Sequence, residues 1–282
     1  PIPMVHCPQH GWLPVAESEL PVLLPEVDQY QPTDSGESPL ANIPGWVETT
    51  CPTCGGPARR ETDTMPNWAG GAWYFLRYTD PHNQEALADL EKMRYWLPVD
   101  LYIGGDEHNT LHLLYSRFIY LFLRDIGAVP AEIREPYARR VSHGVILGPD
   151  GQRMSKSRNN VIIPDEMIEI YGVDATRTYM MFIGPFDATM AWSERTLNGV
   201  RRFLERFEKY ISGQIPGQAE PDREIHRITN RLLAQVSADL NELKFNTAVA
   251  KIMEALNQIN ASQKAIGRDD LAVLIQVIAP FA

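Results

Sequence analysis

Two pairs of potential metal ligands stand near the start of the chain. Cys7 and His10 are separated by two residues, as are Cys51 and Cys54, and a glycine follows each pair. This spacing lets both side chains of a pair turn toward one ion, and two such pairs complete a tetrahedral zinc site. The alternative, ordinary core or surface residues, is disfavoured because the two pairs match. We therefore predict a structural Zn²⁺ whose ligand atoms lie within about 4 Å of one another, since four protein ligands leave no position for a substrate.

A second group of chemistry-bearing residues extends from Gly104 to His112. Gly104 and Gly105 follow an apolar run, and glycine there lets a ligand approach the backbone. His108 and His112 are four residues apart, so on a helix they share a face and point at one pocket. Glu107 is suited to accept hydrogen bonds from a ribose. The alternatives are two polar surface histidines or a zinc peptidase, and the peptidase is disfavoured because its motif places the glutamate between the histidines.

A third segment, residues 152–159, is basic and rich in hydroxyl groups, and we call it the lysine loop. It follows the turn at 148–151 and contains Arg153, Ser155 and Lys156. A loop with a lysine and backbone donors can neutralise the charge that develops on phosphates during transfer. By composition alone, the alternative is a solvated surface loop.

Apolar periodicity predicts the elements that position these residues. Residues 100–103 and 145–147 are expected to form strands on either side of a helix at 109–126, an order typical of a parallel α/β sheet. The chain beyond residue 193 has helical spacing throughout, which predicts an antiparallel bundle. The apolar residues whose spacing indicates these helices are Leu111, Leu114, Phe118, Leu121 and Ile126; Ile225, Ile228, Leu232, Val236 and Leu240; Phe245, Val249, Ile252, Leu256 and Ile259; and Leu271, Leu274, Ile275 and Ile278.

Composition narrows the class of protein. The 282 residues are 44% hydrophobic and carry a net charge of −10, which indicates a globular protein and argues against a generally basic nucleic-acid binder. A local basic patch remains an alternative. No membrane-spanning run or secretory leader is evident, so we expect a cytoplasmic protein that binds no membrane. Both ends resemble cuts through a longer protein.

Together and in this order, these segments resemble the class I aminoacyl-tRNA synthetases. Residues 153–157, Arg-Met-Ser-Lys-Ser, match the family's Lys-Met-Ser-Lys-Ser motif with Arg153 in the first position. The segments most similar to the leucyl-tRNA synthetases in particular are residues 61–78 and 102–117, with further similarity at 171–177 and 181–185. The resemblance covers nearly the whole chain.

The resemblance implies an α/β fold and an activity. Residues 61–185 would form the second half of a Rossmann-like, parallel-sheet catalytic domain. A zinc-knuckle segment at 1–60 would precede it, and the truncated start of a helical, anticodon-binding domain would follow at 186–282. The implied activity is leucine–tRNA ligase, with ATP and Mg²⁺, and with leucine, tRNA(Leu) and the missing N-terminal half of the same protein as partners.

The resemblance also implies roles for individual residues. Arg153, Ser155 and Lys156 would be catalytic, with Lys156 stabilising the pyrophosphate leaving group. The residues implied in ATP binding are Gly104, Gly105, Glu107, His112, Val145, Met154 and Lys156. The residues implied in leucine binding are Trp68, Gly71, Tyr74, His108 and His112.

Some features depart from the family pattern. Gly70, Gly71 and Ala72 stand where the family commonly carries hydroxyl residues, and arginine at 153 changes the geometry of the charge. The family's His-Ile-Gly-His motif and editing sequence are absent from these residues, so we expect the chain alone to be inactive. The open alternatives are an isoleucyl-, valyl- or methionyl-tRNA synthetase, or a non-catalytic zinc-containing RNA-binding module.

Overall fold

The structure is a computed structural model that describes residues 1–27, 36–214 and 222–282. It divides into two compact units. Unit 1 comprises Pro1–Leu101 and Glu107–Arg139, and unit 2 comprises Tyr102–Asp106 and Arg140–Ala282. Among the described residues, no helix combines the length and apolar character needed to cross a membrane.

Unit 1 opens with a four-stranded antiparallel sheet in the order β2-β1-β4-β3. Its strands are β1 Met4–Cys7, β2 Gly11–Pro14, β3 Glu48–Thr50 and β4 Pro57–Arg60. These strands were not predicted from the sequence. Each has only three or four residues, too few to show an alternation of apolar residues, and each is stabilised by pairing with its neighbours. The small core of this sheet is formed by Cys7, Cys51 and Ala58.

Among the described residues of unit 1, the α-helices are α1 Pro44–Val47, α2 Asn67–Gly70, α3 Tyr74–Arg77, α4 Leu90–Trp96 and α5 His112–Asp125. Three of them pack around Phe75, Leu76, Met93 and Tyr120, which belong to α3, α4 and α5. The connection from α3 to α4 is held by the buried Asp80. Hydrogen bonds from the Lys92 ammonium and the Asn83 amide hold the pKa of the Asp80 carboxyl at about 2, so this connection stays pinned at neutral pH.

Helix α5 confirms the predicted helix. Two of the apolar residues that showed its period are exposed, since Leu114 is 56% and Phe118 68% accessible. The face that is buried carries Leu113, Ser116 and Tyr120. The Tyr120 hydroxyl donates to the Ile133 carbonyl at 3.0 Å, and Ser116 accepts from Tyr137 at 2.8 Å. The packed side of α5 therefore makes polar contacts, which the spacing of apolar residues does not reveal.

Unit 2 contains two pairs of parallel strands, as the strand–helix–strand order predicted. β5 Tyr102–Gly105 pairs with β6 Arg140–His143, and β7 Ile146–Leu147 pairs with β8 Met190–Ala191. The expected strand at 145–147 is therefore real, but its partner is β8. β6 was missed because its four residues, Arg-Val-Ser-His, contain no apolar run.

Among the residues of unit 2 that the structure describes, six α-helices share two apolar cores. They are α6 Pro164–Tyr171, α7 Val173–Phe182, α8 Glu194–Ser212, α9 Arg223–Asn241, α10 Phe245–Ser262 and α11 Arg268–Ile278. The predicted faces of α9 and α10 lie in one of these cores. On α11, also predicted as a helix, Leu274 is fully buried and Ile275 is 46% exposed. The helical prediction also covered residues 215–221, which lie outside the described residues.

Gly144 lies in the turn between β6 and β7, where only glycine fits because the backbone of Ala188 is too close for a side chain. Its N–H donates to the Phe186 carbonyl at 2.8 Å, and an added Cβ would overlap the backbone of Ala188. We expect Gly144→Ala to destabilise unit 2 by about 3 kcal/mol, because backbone atoms cannot rotate away as a side chain can. Thermal denaturation and soluble yield of the full-length protein would measure this.

Gly199→Ala provides the matched control for Gly144→Ala. Gly199 lies within α8, and nothing lies within 4 Å of its would-be Cβ. Alanine there should stabilise the helix by about 0.5–1 kcal/mol. A Gly144→Ala protein that melts at the wild-type temperature would show that the turn is not packed as described.

Candidate functional site

The two predicted zinc knuckles are the turns of two β-hairpins in unit 1. Cys7 and His10 lie at the β1–β2 turn, while Cys51 and Cys54 lie at the β3–β4 turn. The second turn is closed by hydrogen bonds between Cys51 and Gly56 and between Gly55 and Cys51. Because β1 pairs directly with β4, the two turns emerge from the sheet side by side.

All four ligand atoms lie within 4.8 Å of one another. The Sγ of Cys7 is 3.4 Å from the Nδ1 of His10 and 4.0 Å from the Sγ of Cys54, and the Sγ of Cys51 is 3.8 Å from the same Nδ1. The predicted convergence is confirmed, with a spread slightly wider than the expected ~4 Å. A hydrogen bond with His10 lowers the pKa of the Cys7 thiol to about 6. Three sulfurs and one imidazole nitrogen fit tetrahedral zinc.

Four aromatic rings come together elsewhere in unit 1. The Trp68 ring meets His108 edge-on with centroids 5.2 Å apart, and Tyr74 stacks on His112 at 6.1 Å. The rings of His108 and His112 are 6.3 Å apart. Gly71 ends α2, directly after the turn that carries Trp68. The structure thus joins the predicted leucine-binding residues into one cluster.

The two histidines do not share a helix, contrary to expectation. His108 lies in a 3-10 helix, Asp106–Asn109, and His112 begins α5; between them Leu111 has the non-helical angles φ −111° and ψ −104°. The backbone changes direction at Leu111, between the two helices, and this brings the two histidine rings together. Burial, and then the nearby His108, lower the pKa of His112, so its imidazole is neutral at neutral pH. In the part of the chain that the structure describes, the buried Nδ1 of His108 has no hydrogen-bond partner.

The predicted glycine turn lies at the end of β5 in unit 2. An added Cβ on Gly104 would meet nothing within 4 Å, so this backbone is open to a ligand. Arg140, on the neighbouring strand, donates to the Gly105 carbonyl at 2.8 Å and pairs with Asp106 at 3.3 Å. Ser142 also hydrogen-bonds Asp106. Arg140 was not predicted as a site residue, because no spacing rule links it to a turn 35 residues earlier.

The lysine loop follows β7 in unit 2. Met154 is partly buried against a core that includes Trp192, while Arg153 and Lys156 are exposed. Lys156 begins a short 3-10 helix, and the Ser155 and Ser157 hydroxyls are 3.1 Å apart. The loop is thus anchored by its methionine and presents its charges to solvent.

Val145 and Glu107, both predicted to bind ATP, make backbone hydrogen bonds in the structure. The Val145 carbonyl, beside β7, accepts from the Met190 N–H at 3.0 Å and so belongs to the strand pairing. Glu107 is exposed in unit 1, and its carbonyl accepts from the Thr110 hydroxyl at 3.4 Å.

Comparison with known proteins decides the family. The family model of class I tRNA synthetases (I, L, M and V) matches residues 56–193. The chain is also 52% identical, over all of its residues, to the leucine–tRNA ligase of Alkaliphilus oremlandii. The chain contains a class I tRNA synthetase domain. It spans 35% of the length of that ligase, about a third.

Two solved structures of tRNA synthetases are also similar to this chain. The chain matches the leucyl-tRNA synthetase of Agrobacterium radiobacter K84, solved as a ternary complex with tRNA and LeuAMS, with a TM-score of 0.82 and 36% identity. That match covers 100% of this chain and 38% of the other. A methionyl-tRNA synthetase of Mycobacterium tuberculosis matches with a TM-score of 0.51 and 20% identity, covering 75% of this chain and 45% of the other. This likeness shows the fold alone.

Proposed function

We propose that this class I synthetase chain works as part of a leucine–tRNA ligase. The complete protein would activate leucine with ATP to give leucyl-adenylate, and would then transfer the leucyl group to tRNA(Leu). The observation that carries this proposal is the 52% identity to a leucine–tRNA ligase along the whole chain, against 20% to a methionyl-tRNA synthetase over three quarters of it.

The aromatic cluster supports a leucine pocket. Trp68, Gly71, Tyr74, His108 and His112 would surround the amino acid, with rings supplying apolar contact for a branched aliphatic side chain. A neutral His112 adds no positive charge beside the leucine ammonium group. The buried Nδ1 of His108 is available to hydrogen-bond a ligand.

The glycine turn and the lysine loop are suited to ATP. Gly104 and Gly105 would let the nucleoside lie against the backbone, Glu107 and His112 would contact ribose and adenine, and Val145 would meet the adenine through its backbone. Met154 would anchor the loop. Mg²⁺, held by the phosphates, would supply further charge neutralisation.

The chemistry of activation is a displacement at phosphorus. A carboxylate oxygen of leucine attacks the α-phosphorus of ATP, the bond between the α- and β-phosphates breaks, and pyrophosphate leaves with the bonding electrons. Negative charge grows on the leaving group, and Lys156, with Arg153 and Ser155 beside it, would stabilise that charge. The protein therefore contributes positioning and electrostatics.

We also propose the organisation of the protein. Residues 1–60 would form a zinc-knuckle segment, 61–185 the second half of a Rossmann-like catalytic domain, and 186–282 the start of the helical tRNA-binding domain. Cytoplasmic location follows from the same assignment. Since the rest of the nucleotide site would come from residues outside this chain, residues 1–282 alone would not charge tRNA.

The test is amino-acid-dependent exchange of pyrophosphate into ATP by the full-length protein that carries this chain. Leucine should be strongly preferred over isoleucine, valine and methionine. Exchange driven best by another of these amino acids would replace the leucine assignment.

A further inference from the structure

The lysine loop is closed at its base by two side chains that lie outside its signature residues. Asp150 precedes the loop and Asn160 follows it. The Asn160 Nδ2 lies 3.1 Å and 3.0 Å from the two carboxylate oxygens of Asp150. The Asn160 Oδ1 accepts from the Ser155 N–H at 2.9 Å. One amide therefore ties together the start, the middle and the end of the loop, and we call this arrangement the Asp150–Asn160 clasp.

The orientation of the Asn160 amide is fixed by its partners. The Asp150 carboxylate accepts only, so the amide nitrogen must face it, and the Ser155 N–H donates only, so the amide oxygen must face that group. Hydrogen bonds from the Gln152 N–H and then from Asn160 hold the pKa of Asp150 below its usual range, so its carboxyl is ionised at neutral pH. A charged acceptor makes the clasp stronger than a neutral pair.

The backbone around the clasp is shaped to admit it. An added Cβ on Gly148 would lie 2.7 Å from the Asp150 Oδ1 and 2.9 Å from the Asn160 Nδ2, so a larger residue there would displace the pair. The Gly148 N–H donates to the Gln152 carbonyl at 2.8 Å, which joins the loop base to β7. Asn159 is left-handed at φ 52° and turns the chain back toward Asp150.

We propose that Asp150 and Asn160 are positioning residues that hold the lysine loop in the conformation from which Lys156 acts. Neither side chain touches substrate in this account; they act through the Ser155 N–H, which immediately precedes Lys156. The consequence for activity rests on the proposed function, whereas the consequence for loop order does not.

The decisive variant is Asn160→Asp in the full-length protein. It keeps the size of the side chain but sets two carboxylates against each other. We expect pyrophosphate exchange to fall about tenfold to hundredfold, with the KM for ATP raised and the KM for leucine unchanged, because misplacing a catalytic group by about 1 Å has effects of this size. Asn198→Asp, on the surface of α8, is the matched control and should leave exchange unchanged.

Rescue separates positioning from simple damage. In the double variant Asp150→Asn with Asn160→Asp, the donor and acceptor exchange places, so most of the lost activity should return. Hydrogen exchange at the Ser155 amide should rise in Asn160→Asp and fall again in the double variant. This second readout tests the clasp even if the wild-type protein shows no leucine-dependent exchange, a result that would overturn the proposed function instead. Unchanged activity and unchanged amide protection in Asn160→Asp, or a double variant as impaired as the single one, would overturn the clasp.

Discussion

Replacement of Lys156 by alanine in the full-length protein should slow adenylate formation by about 100-fold, equivalent to about 3 kcal/mol in the transition state. Lys156 is exposed at the start of a short 3-10 helix, where its ammonium group is free to meet a bound triphosphate. The charge it would stabilise develops only as pyrophosphate leaves. The loss should therefore fall on the rate constant of adenylate formation, measured by single-turnover kinetics, while leucine affinity changes little.

Lys209→Ala is the matched control for Lys156→Ala. Lys209 is an exposed lysine in the last turn of α8, so its removal takes the same charge from unit 2 without touching the lysine loop. This variant should keep wild-type exchange. If Lys156→Ala exchanged pyrophosphate normally while leucine binding collapsed, the role assigned to Lys156 would be wrong.

Loss of one zinc ligand should unfold the four-stranded sheet of unit 1. In the part of the chain that the structure describes, the core of this sheet consists of Cys7, Cys51 and Ala58 with Leu13 packed against them, which is too small to hold four short strands without further cross-links. Structural zinc in small domains contributes on the order of 10 kcal/mol of binding energy to folding. We expect Cys51→Ser to abolish bound zinc and to lower the denaturation temperature, with metal content measured by mass spectrometry on freshly purified protein.

Histidine variants provide the matched comparison for the metal. His10→Ala should lose zinc, because its Nδ1 is one of the four converging ligand atoms. His82→Ala should keep zinc, because His82 is exposed and stands outside that cluster. Wild-type protein that is purified without chelators and contains no zinc, yet melts like its variants, would refute a structural metal at this site.

The zinc knuckles show what a sequence can predict and what it cannot. The spacing of Cys7, His10, Cys51 and Cys54 was sufficient to predict the convergence of their side chains, because ligand chemistry restricts the spacing. The sheet that brings them together was not predictable. Its strands are too short to show a period, and the β1–β4 pairing joins residues more than 50 positions apart.

The rings of His108 and His112 lie close together, as predicted, but the two residues do not share a helix. A spacing of four suggested one helix face, but the chain bends at Leu111 and the rings meet across the bend. Helix α5 was also predicted, but its buried side, which carries Ser116 and Tyr120, was not. Arg140 and Asn160 were missed because each contacts both backbone and side-chain groups at positions that no spacing rule links to it.

Initial rates of ATP–pyrophosphate exchange by the full-length protein test most directly whether it activates leucine. Leucine, isoleucine, valine and methionine should be compared at matched concentrations, with Lys156→Ala as the baseline. We predict that kcat/KM for leucine exceeds each of the other three by about 100-fold or more, near the upper range of what pocket shape alone achieves between aliphatic side chains. Exchange that is independent of leucine, or that isoleucine, valine or methionine drives as well as leucine does, would contradict the account.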